Sequence, residues 1–255
     1  MADAPPAHTT SPPVRYLDTT AAYDLWSEVY DTDGNFLQAL DTIEMKQLVP
    51  RMTSLIDSHP PWRMVDLGCG TGRNTTALLA IPESQVIGLD ASPKMLDLAR
   101  VRLQQDKAHA PDRLRLEVFD LLQSHAPPEY VLHADAVVST LVLEHVPVDI
   151  FFQHVSQILK PGGILLLTNM HSQMGGISQA GFVHPQTGQK IRPKSYAHTV
   201  AEVEAEARRH GFEVVGEIEE RSVDESLTTQ LGERSQKWIG IQVWFGGIFR
   251  KKGDA

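Results

Sequence analysis

The 255-residue chain carries a single cysteine, no long apolar run and no excess of positive charge. One cysteine, Cys69, excludes an internal disulfide and any cysteine-cluster metal site, and it suits a reducing compartment. No His or Lys stands beside it to lower its pKa, so its expected place is that of a small spacer rather than a nucleophile. The longest apolar runs, such as Ile164–Thr168, fall far short of the ~20 residues a membrane span needs, and the Pro-rich opening lacks an apolar signal-peptide stretch. Cytoplasmic residence, with no membrane partner, is the expectation. A net charge of −9 and a pI near 5.6 lack the basic footprint of broad nucleic-acid binding, and no nucleic-acid partner is expected.

What remains is an ordinary globular composition, 42% hydrophobic, with enough chain for one large or two small domains. Residues 1–15 are rich in Pro, Ala and Thr and read as a flexible tail. Over residues 16–60 apolar side chains recur near helical spacing, as in Leu25 and Val29, then Phe36, Leu37 and Leu40, which predicts two or three short helices. Strands and helices then alternate. Apolar runs ending at Leu67, Asp90, Asp120, Thr140 and Met170 read as five strands; helical patterns separate the first from the second, the second from the third, and the fourth from the fifth. A helix closed by Gly211 follows, then two more strands over 212–220 and 238–251. This order predicts an α/β fold with a doubly wound, mostly parallel seven-stranded sheet. The pattern lapses over 171–198, a stretch long enough to mark a functional loop.

Three glycines, Gly68, Gly70 and Gly72, follow the first strand within "VDLGCGTGR", so a ligand is expected against a bare backbone there. A dinucleotide fingerprint would place a small residue at Arg73, and the lysine of a phosphate-binding loop is missing. The spacing G-x-G-x-G, with Asp66 two residues ahead, suits a ligand bearing a cationic amino acid group, to whose ammonium Asp66 offers charge. Asp90 ends the second strand, where a carboxylate accepts hydrogen bonds from both hydroxyls of a ribose. Asp120 ends the third strand, in reach of an adenine amino group.

These segments resemble the class I S-adenosylmethionine-dependent methyltransferases. "VDLGCGTG", "VIGLDASPKML", "FDLL", "LVLEHV" and "LKPGGILLLT" stand in the family's order and spacing over about residues 62–170. The resemblance implies a Rossmann-like sheet of strand order 3-2-1-4-5-7-6 with the seventh strand antiparallel, an N-terminal helical lid over 16–60, and a methyltransferase domain over 61–255. It implies S-adenosyl-L-methionine as cofactor, with Gly68, Gly70 and Gly72, beside Cys69, letting the backbone approach the methionine moiety. Asp90 and Ala91 then take the ribose, and Asp120 with Leu121 frames the adenine, where Met95 is also within reach. Thr140 and the residues after it line the other side, and Tyr23 and Tyr30 close over the methionine end.

The 171–198 insertion is where this family builds its acceptor pocket, and Phe182, His184, Tyr196 and His198, with Trp26 of the lid, are the expected substrate contacts. Methyl transfer asks mainly for alignment, with a general base where the acceptor is a hydroxyl or an acidic carbon. His145 is the first candidate for that base and His171 the second. No oxygen-rich metal site stands out beyond Glu144 and Asn169, so no metal is expected. The acceptor is expected to be a small organic molecule; a peptide acceptor and a non-catalytic cofactor-binding partner remain open at this point, as do the acceptor atom and the oligomeric state.

Overall fold

A computed structural model describes residues 13–105 and 111–253; the expected tail thus lies outside the described residues up to position 12. In chain order the elements are β1 (Arg15–Leu17), α1 (Thr19–Trp26), α2 (Phe36–Ser54), β2 (Trp62–Leu67), α3 (Arg73–Leu79), β3 (Ser84–Asp90), α4 (Pro93–Gln105), β4 (Leu114–Val118), β5 (Ala134–Thr140), α5 (Val148–Ile158), β6 (Leu159–Met170), α6 (Ser172–Ile177), β7 (Phe182–Val183), β8 (Lys190–Pro193), α7 (Val200–Arg209), β9 (Phe212–Val214), β10 (Glu219–Ser222), α8 (Glu225–Leu231) and β11 (Gln242–Lys251).

Among the described residues the main sheet runs β10-β11-β6-β5-β2-β3-β4. Strands β2 to β6 pair in parallel, and β11 enters antiparallel between β6 and β10. This is the expected order, with one change at the sixth position. The run over 212–220 does not form one strand: it divides into β9 and β10, both paired to β11, and Gly216 lies between them with φ +82°. Alternate residues of the central strands face opposite layers. Met64, Val86, Ala136, Val138 and Leu166 pack with α2 on one face, whereas Val65, Ile87, Val137, Leu165 and Leu167 pack with α5 and α7 on the other. Both faces are thereby covered, as a parallel sheet requires.

The N-terminal 16–60 segment serves two structures. Helix α2 buries Leu40, Met45, Leu48 and Met52 in the sheet's own core. At its centre Asp41, wholly buried, accepts from Thr168 Oγ1, from Trp244 Nε1 at 3.0 Å and from Arg73 Nη2 at 2.6 Å, which ties α2 to β6, β11 and α3. Helix α1, capped by Asp18, instead buries Ala22 and Trp26 with Met95, Phe182 and Ile191 in a separate small core. That core lies on a second sheet, β1-β8-β7, absent from the sequence expectation. Residues 171–198 therefore are not a structureless loop, and Arg15, placed at the end of the expected tail, opens β1 against Ile191.

Candidate active site

The chain leaves β2 toward β3 and β4 on one side and returns to β5 and β6 on the other, so a crevice opens beyond the strand ends where the order reverses. A cavity of about 720 Å³, counting its open mouth, fills this place. Its floor is made by Leu67, Gly68 and Gly70 at the end of β2, Asp90 and Ala91 at the end of β3, Phe119 to Leu122 after β4, and Thr140 to Val142 at the end of β5. Gly68 has φ +77°, and a Cβ there would lie 2.2 Å from Val142, so the loop after β5 can seat against it only if the position is glycine. The N–H groups of Gly70 and Ser92 each donate at 2.8 Å to one oxygen of the Asp90 carboxylate and fix its plane. Burial nonetheless pushes the Asp90 pKa up to about 6, against the pull of these two donors.

The roof comes from α1 and the residues after it. Thr19, Thr20, Tyr23 and Tyr30 face the cavity, and Thr20 Oγ1 donates to Asp120 at 3.4 Å. Asp31, just after the roof, accepts from Thr71 Oγ1 at 2.9 Å and from Arg102 at 2.6 Å, so the roof is latched to the glycine loop and to α4. His145 spans roof and wall: its Nε2 lies 2.8 Å from the Tyr23 hydroxyl and its Nδ1 2.8 Å from the Lys194 carbonyl. A carbonyl can only accept, so the proton sits on Nδ1 and Nε2 accepts from the phenol. Burial lowers the His145 pKa to about 4 and raises that of Tyr23 well above 10. The pair rests as a neutral imidazole and an intact phenol.

A second cavity of about 760 Å³ shares Tyr23, Tyr30 and Leu141 with the first. Trp26, Phe36, Met170, Met174 and Trp238 supply its apolar walls; Glu144, Gln179, Lys190, Arg234 and Lys237 supply its polar ones. At the junction Leu141 adopts φ +57°, a conformation that costs a branched residue energy and is held here by its N–H bond to Thr168 O at 3.0 Å. Glu144 is buried, with Oε2 unpartnered, and desolvation pushes its pKa up to about 7.

Several expected contacts do not border either cavity. Asp66 accepts from Thr75 Oγ1 at 2.6 Å and anchors α3. Cys69 is buried behind the loop, and Gly72 admits Ala99 and Leu103 of α4 against the start of α3. Met95 lies in the small core beneath α1, where Phe182 stacks on Trp26 at 5.2 Å. His171 caps α6, accepting from Gln173 N at 3.0 Å, and meets Glu220 at 2.7 Å on the far side of the strand end. His184 makes its own local turn with Gln186. Tyr196 stacks on His198, whose Nε2 is bound to Val146 O at 2.9 Å. Gly68, Gly70, Asp90, Ala91, Asp120, Leu121, Thr140, Tyr23, Tyr30 and His145 do line the first cavity, and Trp26 the second.

The profile of a family described as "Methyltransferase domain" matches residues 65–165. An uncharacterised methyltransferase from Emericella nidulans is 48% identical over 261 residues, covering 91% of this chain and 91% of its own. The chain belongs to the class I S-adenosylmethionine-dependent methyltransferases. A trans-aconitate 2-methyltransferase from Methylobacterium radiotolerans is 31% identical over 57% of this chain and 58% of its own. Among solved structures, phosphoethanolamine N-methyltransferase 2 of Haemonchus contortus, in complex with phosphomonomethylethanolamine and S-adenosylhomocysteine, shares the fold with a TM-score of 0.61 at 18% identity, covering 91% of this chain and 60% of that one.

The cavity of this methyltransferase fits its cofactor by its own chemistry. The space before Gly70 is open, so the backbone there can be approached closely. The Asp90 carboxylate stands at the β3 end, and Phe119, Leu121 and Val146 supply apolar lining to the cavity that Asp120 also borders. No helix among the described residues is long and apolar enough to cross a membrane, and no group of three or more His, Cys, Asp or Glu among them could hold a metal ion. The second-cavity residues that the sequence reading did not single out include Gln179, Lys190, Arg234, Lys237 and Trp238. They come from distant segments with no shared spacing, and only the glycine-rich lapse over 171–198 hinted at part of them.

Proposed function

We propose that this methyltransferase transfers the methyl group of S-adenosylmethionine to a small organic acceptor held in the second cavity, by in-line displacement across the junction of Tyr23, Tyr30 and Leu141. The observation that carries the reading is this sharing: two open-mouthed cavities meet at three side chains, one bordered by the glycine loop and the strand-end carboxylates, the other by side chains from separate segments. Bound in the first cavity, the cofactor supplies an electrophilic sulfonium methyl. Asp90 holds the ribose, Asp120 and Leu121 border the adenine, and the backbone at Gly68 and Gly70 receives the methionine arm. The task of the chain is then to align acceptor and methyl and to exclude water, for which the latched roof is suited.

His145 serves this arrangement as a positioning residue for Tyr23. Both ring nitrogens are engaged, and a pKa near 4 makes the imidazole a weak base at neutral pH. His171 lines neither cavity, and its ring nitrogens are engaged by Gln173 N and Glu220. A second cavity of about 760 Å³, counting its open mouth, supports a compact guest, and a relative named for trans-aconitate supports a small organic acid among such guests. The test is transfer of labelled methyl from S-adenosylmethionine to a panel of small acids, phenols, amines and a basic peptide. Label in the small-molecule fraction is expected; label confined to the peptide, or none in any fraction while the cofactor binds, would overturn the reading.

A further inference from the structure

The second cavity is bordered by a buried carboxylate with one oxygen unpartnered. Glu144 follows the junction residue Leu141 by three positions, in a single 3-10 turn over Leu143–His145. Its N–H donates to Asn169 Oδ1 at 3.1 Å and its carbonyl accepts from Tyr196 N at 2.7 Å, so the turn is pinned between β6 and the chain before α7. The residue is 3% exposed, and its Oε2 has no hydrogen-bond partner among the described residues. Gln179 Oε1, a second acceptor of the same chamber, is likewise unpaired, and Trp238 Nε1 is an unpaired donor. Buried polar atoms are ordinarily satisfied, so two open acceptors call for a guest that brings a hydrogen to donate.

The groups around Glu144 leave it as the one open base beside the junction. Tyr23 of α1 and Tyr30 after it are both raised by burial and keep their protons, and the Glu144 charge is among the causes that raise them. His145, its neighbour in the turn, has both ring nitrogens engaged. Asp41 of α2 is taken up by Thr168, Trp244 and Arg73. Lys190 of β8, with Arg234 and Lys237 from the turn before β11, completes the charged lining; the Lys190 ammonium is pulled down first by burial and then by Arg192, Lys237 and Arg234. Burial raises Glu144 itself to about 7, with Asp41 adding to the rise and the N–H groups of Glu144 and Met170 opposing it. Three cations on one chamber disfavour an ammonium guest, so the hydrogen offered to Glu144 belongs to a neutral group.

Resting on the methyl-transfer reading above, we infer that Glu144 is the catalytic base: its Oε2 accepts the hydrogen of a neutral hydroxyl or amine on the guest and takes that proton as the oxygen or nitrogen is methylated. The lone pair of the accepting atom forms the new bond to CH3 while the C–S bond of the sulfonium donor breaks and its electron pair returns to sulfur. The proton passes to Oε2 and leaves to water after the product. A carboxylate anion and a sulfonium cation are thus consumed together, giving a methylated acceptor, a thioether and a carboxylic acid, all neutral. The apolar walls of Trp26, Phe36, Met170, Met174 and Trp238 favour that loss of charge.

The first arm of the experiment needs no acceptor. A sulfonium at the junction favours the Glu144 anion and a neutral thioether does not, so calorimetry of the full chain at pH 7, in buffers of different ionisation enthalpy, counts the protons that each ligand releases. S-adenosylmethionine should release about 0.3–0.5 proton more than S-adenosylhomocysteine. That excess should be lost in Glu144→Gln and remain in Lys190→Met; Asp90 meets the same ribose in both ligands and drops out of the difference. The second arm is turnover of labelled S-adenosylmethionine with phenols, alcohols and amines, the labelled class telling which heteroatom accepts. Glu144→Gln should lower kcat by about 10²- to 10⁴-fold and remove the rise in rate through pH 7, with S-adenosylhomocysteine affinity within a few-fold, and Glu144→Asp should recover part of the rate. No proton excess in the wild-type chain, an excess that persists in Glu144→Gln or vanishes in Lys190→Met, a kcat within a few-fold of wild type in Glu144→Gln, or label released as methanol by mild alkali, the mark of a carboxylate acceptor, would each overturn the inference. Failure of the wild-type chain to bind S-adenosylhomocysteine would instead strike the methyl-transfer reading itself.

Discussion

The floor and the roof of the cofactor cavity are built from different kinds of chain. The floor is a set of strand ends in one parallel sheet, where backbone N–H groups of Gly70 and Ser92 hold Asp90 and a glycine at position 68 admits Val142. The roof is α1 with its following turn, resting on a small core of its own and joined to the floor by contacts such as Asp31 with Thr71 and Arg102, Tyr23 with His145, and Ser92 with Asp24 at 2.5 Å. The floor is part of what makes the sheet fold. The roof is attached by these polar contacts and by packing of Ala22 and Trp26 in a small core with Met95 of α4, outside the core of the sheet.

This contrast can be broken most severely through α2, which adjoins the roof in sequence but belongs to the sheet. Asp41→Ala leaves the Thr168 hydroxyl, the Trp244 N–H and the Arg73 guanidinium without their shared buried carboxylate. A loss of about 3–5 kcal/mol in unfolding free energy is expected by urea titration. A loss below about 1 kcal/mol would show that α2 is as loosely attached as α1.

Removing residues 1–30 takes the roof and spares α2. The truncated chain should keep a cooperative thermal transition yet lose turnover by about 100-fold or more, because the cavity then opens to water. Full turnover after this deletion would remove the lid from the account, and a chain that fails to fold would merge roof and floor into one unit.

His145 joins the two regions, and its variant has a smaller expected effect. His145→Ala should lower kcat by about tenfold through a less well-held Tyr23, with the same shape of pH–rate profile between pH 6 and 8 as the wild type. Its stability effect has a defined sign. A folded pKa near 4 against an ordinary 6.5 means the unfolded chain takes up the proton first as pH falls. The wild-type chain therefore loses stability relative to the variant between pH 6.5 and 4, and the difference is constant above 6.5. Buried Glu144, raised to about 7, acts oppositely, costing stability as pH rises from 4.5 to 7. A pH-independent difference between wild type and variant would contradict the depressed His145 pKa. Smallest of all is the effect of EDTA, which should leave turnover unchanged; loss with rescue by Mg²⁺ would call for a metal in the junction.

How much of this was legible in the sequence follows the same division. Asp90, Asp120, Gly68 and Thr140 could be read because each sits at a strand end, and strand ends in a parallel sheet share one edge whatever the loops do. Asp66 and Gly72 could be seen but not resolved: the same spacing that serves a ligand also serves the packing of α3, through Thr75 and through Ala99 and Leu103. The second cavity was legible only in part, through Trp26 and the 171–198 segment that supplies Met174, Gln179 and Lys190. Strands of three, two and four residues, β1, β7 and β8, are too short for a period to show, and Lys190, Arg234 and Lys237 meet only once those strands and the turn before β11 are in place. The expected acceptor contacts Tyr196 and His198 line neither cavity: their rings stack on each other, and His198 Nε2 is bound to the Val146 carbonyl.

The measurement that bears most directly on the central claim, that a floor of backbone and strand-end carboxylates holds the cofactor independently of the roof's guest, is calorimetric titration of S-adenosylhomocysteine into the wild-type chain and Asp90→Ala. Removing the Asp90 carboxylate deletes charge-assisted hydrogen bonds to the ribose, worth about 1.5–3 kcal/mol. The account predicts micromolar-range binding to the wild-type chain, weakened by about 10- to 100-fold in Asp90→Ala with the fold intact; equal affinity in the two proteins would contradict it.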